Sequence, residues 1–342
     1  MDFIPQNAPR NDAPPEEVVA PVVLSRREKW KRTRVLWAGF AASNLVGLLT
    51  VVALPRVLEA LSSWFAPRGG GTFVSVLGIS MFVAIPLSMG AISALVWKPL
   101  QLPKSHLSLY SASNTILAVG GSAVVLREGA ICLLMASPIL WVMIWSGCLM
   151  GEALFNWVNR PLRMSLLPLF ALCLFQDVRS SNVTHEISDE VTIRATPAQV
   201  WHQVKRFPPV DDAPEYWLFK MGMPMPIVSK LYGEKIGAKR ECILTGGLVF
   251  DEKVTVWKLR QQLTFDVVRQ PDHPELTGHF KLLRGEFRLR DNKNGTTSLM
   301  GTSWYRLNVR PLWYWQLWAD DAIRHVHLRV MHHIRDEAER KA

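Results

Sequence analysis

Residues 311–340 read PLWYWQLWADDAIRHVHLRVMHHIRDEAER, and this stretch decides the fold of the C-terminal half. Apolar side chains recur in it every three or four residues, while charged side chains take the opposite side, which is the pattern of an amphipathic helix. A helix this long with one apolar face must lie across another element. The apolar stripe consists of Trp315, Trp318, Ala322, Val326, Val330, Ile334 and Ala338.

The segments before this helix predict an antiparallel sheet, because apolar and polar residues alternate along them. Asn294-Gly295 is a strong hairpin signal between the last two segments. Thr196 and Pro197 predict a helix start after the first strand, the stretch 216–221 predicts a short helix, and residues 224–237 predict a loop. The predicted strands are Glu190–Ala195, Arg240–Thr245, Leu248–Trp257, Gln261–Val268, Lys281–Arg290 and Thr296–Val309.

The chain upstream of this domain has a different composition. Residues 35–178 carry 11 charged side chains in 144 positions, whereas residues 181–342 carry 44 in 162, which excludes a single soluble domain, a disordered protein and a fibrous repeat. Uncharged stretches of about 20 residues match the thickness of a bilayer at 1.5 Å per residue. The sequence therefore predicts an all-α transmembrane bundle over residues 35–178, with spans at 35–54, 73–97, 107–126 and 129–150 and a possible short fifth span at 164–176.

Charges in the loops predict the orientation. Residues 1–34 form a proline-rich disordered tail followed by a basic flank, and basic residues flank transmembrane helices on the cytoplasmic side. The same cluster abuts an apolar segment, which argues against a nucleic-acid partner. We expect a multi-pass protein of the cytoplasmic (inner) membrane with a cytoplasmic N-terminus. If residues 164–176 cross, the domain at 187–341 is on the non-cytoplasmic side, which we favour; if they do not cross, it is cytoplasmic.

Small residues in the spans suggest close helix packing. Gly147 and Gly151 are four residues apart, a spacing that allows close contact within the bundle or homo-oligomer formation. Pro86 and Pro138 are possible kinks. Glu152 lies at the end of the fourth span, where solvation is the simpler interpretation.

The C-terminal half opens with the segment VTIRATPAQVW at 191–201. This segment resembles the opening signature of the SRPBCC superfamily, whose members include START-like and polyketide cyclase/dehydrase-like proteins. The apolar half resembles the front of membrane-anchored members at 127–138, REGAICLLMASP. Other matching segments are GAKREC at 237–242, GGLVFDE at 246–252, VW at 256–257, LTF at 263–265, GEF at 285–287, GTSWY at 301–305, PLWYW at 311–315 and HVH at 325–327.

The resemblance implies an α+β START-like helix-grip domain, an antiparallel sheet wrapped on a long C-terminal helix, with an apolar cavity between them. The alternative is that the same aromatic residues fill a solid core or form a membrane-interface belt. The candidate cavity residues are Trp217, Phe219, Cys242, Phe250, Glu252, Phe265, Phe287, Trp304, Tyr305 and Trp318.

Catalytic chemistry has weaker support in the sequence. Asp251 and Glu252 are adjacent on a strand and point to opposite faces, which leaves Glu252 as a weak candidate for a cavity acid. Cys242 has no histidine placed beside it by any pattern, and the histidines at 325, 327, 332 and 333 are best interpreted as solvated or interfacial. No zinc, phosphate or nucleotide motif occurs, so we expect neither a metal nor a cofactor.

The sequence therefore favours a membrane-anchored protein that binds a hydrophobic small molecule or lipid. One alternative is a cyclase/dehydrase-type enzyme that acts on a membrane-soluble substrate. A second alternative is a structural or signalling membrane protein with a non-functional pocket.

Overall fold

The computed structural model describes residues 25–65, 78–125, 129–156 and 183–340, apart from residues 208 and 211. Most of the tail predicted for residues 1–34, residues 73–77 of the second predicted span and the possible fifth span at 164–176 lie outside these residues.

Four long helices make up most of the described residues of the N-terminal part. They are α1 (Arg26–Phe65), α2 (Ile85–Trp97), α3 (Lys104–Val125) and α4 (Ala130–Asn156). A π-helical turn, Ser80–Ala84, leads into α2 just before Pro86, which therefore lies in the first turn of the helix, where proline is tolerated. A short 3₁₀ turn, Lys98–Leu100, ends α2.

Three described segments are long and apolar enough to cross a membrane: Arg26–Ala53, Ser80–Leu100 and Ala130–Ala153. They coincide with the first, second and fourth predicted spans. The third predicted span falls on α3, whose serine and glycine content lowers its hydropathy, and α3 is not among the three.

Helices α2 and α4 pack closely through glycine. A side chain at Gly147 would collide with the Leu87 carbonyl oxygen, and one at Gly90 would collide with the carbonyl oxygen of Ile144. Gly151 lies against Ala94 and Ala91. Gly147 and Gly151 are thus packed against a helix of the same chain.

A buried polar cluster ties three helices together. The amide nitrogen of Asn114 on α3 donates to the Ser43 hydroxyl at 3.1 Å and to the Ser93 hydroxyl at 3.2 Å. The amide nitrogen of Asn44 donates to the Asn114 side-chain oxygen at 2.6 Å. Such bonds hold α1, α2 and α3 in one register where apolar contacts alone would permit sliding.

The C-terminal part is one antiparallel sheet in the order β1-β7-β6-β5-β4-β3-β2. Its strands are β1 (Thr184–Ile193), β2 (Pro226–Tyr232), β3 (Lys239–Leu244), β4 (Val249–Lys258), β5 (Gln262–Arg269), β6 (Phe280–Asp291) and β7 (Thr297–Leu307).

Six strands match predicted ones, and β2 does not. We expected a loop over residues 224–237 because of its prolines and glycines. Pro226 is the first residue of β2, and within the described sheet β2 pairs only with β3. Proline has no amide hydrogen to donate, and at the start of an edge strand it is tolerated.

Three helices accompany the sheet: α5 (Pro197–Lys205), α6 (Trp217–Lys220) and α7 (Leu312–Glu339). The predicted start of α5 is confirmed, since Thr196 and Gln199 form a capping box. Helix α7 lies across the concave side and contacts β1, β7 and α5. The curled antiparallel sheet with this helix across it fits a helix-grip domain.

The core of this domain occupies one end of α7. Its fully buried members come from the helix, from the inner positions of the strands and from α5. They include Met331, Ile334, Leu263, Leu299, Val200 and Val204. Toward the start of α7 the filling is incomplete, and that is where the cavity lies.

Candidate ligand cavity

A cavity of about 220 Å³ separates the first half of α7 from the concave face of the sheet. Apolar side chains make up most of its wall, as in small-molecule sites generally. From α7 the wall includes Trp315, Trp318, Ala319, Ala322, Ile323 and Val326, and from the sheet it includes Cys242, Leu244, Phe250, Glu252, Leu282, Ser303 and Leu307.

The N-terminal end of α4 forms another part of the wall, through Ile131, Cys132 and Met135. The Glu275 carboxylate, in the loop between β5 and β6, accepts hydrogen bonds from the backbone amides of Ile131 at 3.0 Å and Cys132 at 2.9 Å. A carboxylate at this position satisfies amides that have no partner within the helix and complements the helix dipole. The loop is therefore fastened to α4.

Aromatic contacts complete this junction. The rings of Phe82 and Trp315 meet edge to face, with centroids 5.1 Å apart. The Tyr314 hydroxyl donates to the Met135 carbonyl oxygen. Ile131, Met135, Ile139 and Val309 join the same buried cluster, so the helices and the helix-grip domain share an apolar interface.

A second cavity, of about 510 Å³, lies among the four long helices. Its wall includes Leu45 and Leu48 of α1, Met89 of α2, Leu117 of α3 and Leu140 of α4. The two cavities share four lining residues: Cys132, His279, Val309 and Trp315. The two spaces therefore adjoin at this shared wall.

Arg240 and Glu252 form a buried ion pair next to the cavity. They are paired across β3 and β4, and only 2% of the Arg240 side chain and 4% of the Glu252 side chain are exposed. Burial raises the pKa of the Glu252 carboxyl, and the Arg240 guanidinium opposes that rise. The guanidinium also lies 4.3 Å from the centre of the Phe265 ring, and its Nε hydrogen has no partner among the described residues.

A second polar group links α7 with the sheet. His327 Nε2 is 2.8 Å from the Ser303 hydroxyl on β7, and His327 Nδ1 is 2.9 Å from the Asp189 carboxylate on β1. Ser303 lines the cavity. Desolvation lowers the pKa of His327, although Asp189 opposes that effect.

The positions of two histidines correct the sequence interpretation that the histidines of this helix are solvated or interfacial. His327 and His333 are buried, since they share the face of α7 that carries Ile323, Val330 and Ile334. His325 instead stacks on the Tyr216 ring. No local pattern in the sequence connects His327 with Asp189 and Ser303, because Asp189 lies outside the predicted strand and both lie far from His327 in the chain.

A third contact lies at the shared wall. The Cys132 sulfur is 3.2 Å from His279 Nε2. Nothing local in the sequence connects His279 with Cys132, which is 147 positions away.

Four of the ten residues proposed from the sequence line the cavity: Cys242, Phe250, Glu252 and Trp318. Asp251 points to the other side of the sheet and pairs with Arg269, as alternation predicts. Desolvation raises the pKa of the Cys242 thiol to about 12, so this thiol is protonated at neutral pH.

The other six lie elsewhere. Phe265 and Phe287 belong to the core, and Phe219 belongs to the junction with the helices. Tyr305 is fully buried and its hydroxyl donates to Asp320. Trp304 follows the opposite face of β7 and donates to Glu186, and Trp217 is 42% exposed with its ring against Trp318.

No protein-family model and no curated protein matches the chain. Among solved structures, norcoclaurine synthase from Thalictrum flavum in complex with dopamine and hydroxybenzaldehyde is 10% identical, with 47% of this chain and 87% of that one covered and a TM-score of 0.31. A protein from Nitrosospira multiformis is 13% identical over 45% and 95% of the two chains, with a TM-score of 0.31. A protein from Thermus thermophilus is 11% identical over 46% and 99%, with a TM-score of 0.33. At these values the likenesses carry no argument about function.

Proposed function

We propose that this protein is a membrane-anchored member of the SRPBCC superfamily that binds a hydrophobic small molecule or lipid, which it takes from the bilayer. The observation that carries the proposal is the shared wall of the two cavities. A pocket for a water-soluble ligand needs no apolar space among membrane helices beside it. An apolar molecule that moved from one space to the other would have to cross only this shared wall.

The wall chemistry supports an elongated apolar ligand with a polar end. The larger space is bounded by leucine, methionine and other apolar side chains of α1 to α4. The smaller space adds a few polar groups, among them Glu252 and Ser303, that can orient a headgroup or carbonyl.

The contacts between the two parts also support a non-cytoplasmic location for the helix-grip domain. Arg32, in the basic cluster, donates to the Leu100 carbonyl oxygen at 3.0 Å, so the basic flank and the end of α2 lie at one end of the bundle. The helix-grip domain contacts the other end, through Phe82 and Ile131. With the basic end in the cytoplasm, the domain is on the non-cytoplasmic side. This is the side expected if residues 164–176 cross the membrane.

The test is lipid extraction from the full chain purified in mild detergent, followed by mass spectrometry. We expect one apolar ligand per chain in the wild type. Ala322→Phe places a ring inside the cavity wall and should reduce the bound amount at least about tenfold, since burying a ring there displaces ligand.

Leu317→Phe is the matched control, because Leu317 lies on the same helix and is 67% exposed. It should retain the ligand. A wild-type protein without a stoichiometric ligand, or equal occupancy in the two variants, would contradict the proposal.

A further inference from the structure

We propose that Ser303, His327 and Asp189 form a nucleophilic serine site in the cavity wall that cleaves acyl esters of apolar molecules. This inference goes beyond ligand binding. It rests on geometry: a serine hydroxyl, an imidazole and a carboxylate stand in hydrogen-bonded sequence, at 2.8 Å and 2.9 Å. Serine triads are recognised by this geometry and these roles, and not by sequence order or fold.

Each ring nitrogen of His327 has the partner that its role requires. Asp189 accepts from Nδ1–H, which leaves Nε2 as the acceptor for the Ser303 hydroxyl hydrogen. The Arg324 Nε donates to the other Asp189 oxygen at 3.0 Å. Asp189 is therefore a positioning residue, and His327 is the base.

Burial supports the same assignment. His327 is 9% exposed, and desolvation lowers its pKa below the ordinary value of 6.5. The imidazole is consequently neutral at neutral pH, which is the form that accepts a proton. The charged groups facing it are Asp189, which raises its pKa, and Arg324, which lowers it.

Ser303 faces the cavity. Ser303 is 9% exposed and belongs to the wall that Ile323, Val326 and Leu307 also form. An acyl chain in the cavity would bring its ester carbonyl beside Ser303 only from that side. The apolar wall thus restricts the substrate class to esters with apolar acyl or alcohol parts.

The reaction balances without a further reagent except water. The Ser303 oxygen bonds to the ester carbonyl carbon while its proton moves to His327 Nε2; the bond to the alcohol oxygen breaks, and that oxygen takes the proton from His327. Water then bonds to the same carbon, gives a proton to His327 and releases the acyl group as a carboxylic acid. The Ser303 oxygen recovers the proton.

The experiment is labelling of the full chain in detergent with a long-chain alkyl fluorophosphonate, and location of the adduct by peptide mass spectrometry. We expect an adduct on Ser303 in the wild type. Ser303→Ala should abolish it, and His327→Ala should lower the labelling rate by about 10³-fold or more.

Ser188→Ala is the matched control. Ser188 lies on the outer side of the same strand pair, where its hydroxyl bonds to Thr302 at 2.8 Å, and its loss should leave the labelling rate unchanged. The wild-type rate should fall as pH drops through the lowered pKa of His327, because the protonated imidazole cannot accept a proton. In Asp189→Asn the rate should fall and the midpoint should move to lower pH, since Asp189 raises that pKa.

The absence of a Ser303 adduct in folded wild-type protein would overturn the inference, as would undiminished labelling in His327→Ala. A bound lipid together with no adduct would overturn the serine site and leave the binding proposal standing.

Discussion

At the scale of single residues, the pair of Arg240 and Glu252 is the costliest feature of the cavity region. Two charges are held away from water, and each depends on the other for compensation. Arg240→Met should destabilise the domain by about 3–5 kcal/mol, because it leaves an uncompensated buried carboxylate. Thermal unfolding of the full chain in detergent measures the change.

The double variant Arg240→Met with Glu252→Gln should recover part of that loss, because it removes the second charge. Lys239→Met is the control on the exposed side of the same strand, and it should leave the unfolding midpoint nearly unchanged, because exposed ion pairs contribute little to stability. A loss in the double variant as large as that in the single variant would contradict this account.

Single residues also show which parts of the site could be predicted from the sequence. Alternation predicts that Trp304 and Tyr305 face opposite sides, but it does not say which one faces inward. The register of β7 with β1 decides that, since Ser303 is opposite Ile187 and Tyr305 is opposite His185. Long-range pairs such as Cys132 with His279 leave no local pattern and could not be predicted.

At the scale of helices and strands, the contact between α2 and α4 depends on the absence of side chains. Gly147→Ala should destabilise the bundle by about 1–3 kcal/mol, because its new methyl group would meet backbone atoms of Leu87. Gly120→Ala on α3 is the matched control, since no described atom lies within 4 Å of a side chain there.

Thermal unfolding in detergent checks this prediction for both variants. Gly120→Ala should leave the midpoint unchanged or slightly higher, because alanine favours helix. Equal midpoints for Gly147→Ala and the wild type would show that α2 and α4 do not approach as closely as the structure indicates.

Elements with a clear period were predictable, and α7 is the clearest example. Its apolar stripe and the hairpin at Asn294-Gly295 follow from local rules, and the structure has a helix over Leu312–Glu339 and a turn between β6 and β7. Strand β2 was missed because its flanking prolines and glycines predict a loop, and only its pairing with β3 makes it a strand.

At the scale of the whole molecule, the basic end of the bundle and the helix-grip domain lie at opposite ends. We expect alkaline phosphatase fused after Ala342 to be active and green fluorescent protein fused there to be dark, as the non-cytoplasmic side requires. The control is a fluorescent protein fused before Met1, which should fluoresce. A fluorescent fusion after Ala342 would contradict the fifth crossing.

Charge segregation in the sequence separates the apolar helices α1 to α4 from the polar C-terminal part. It could not predict that the two parts touch. That contact depends on Glu275 reaching the first turn of α4 and on Trp315 meeting Phe82, which are residues far apart in the chain.

The wall shared by the two cavities has a consequence for how this protein can be rebuilt. Cys132 belongs to α4, whereas His279, Val309 and Trp315 belong to the polar domain, yet all four line both spaces. A chimera in which one unrelated helix anchors the domain would keep the domain at the bilayer, but one side of the domain's cavity would be open to water. The helices therefore cannot be exchanged for an unrelated membrane anchor. A substitution at the shared wall in either half limits which substitutions the other half tolerates.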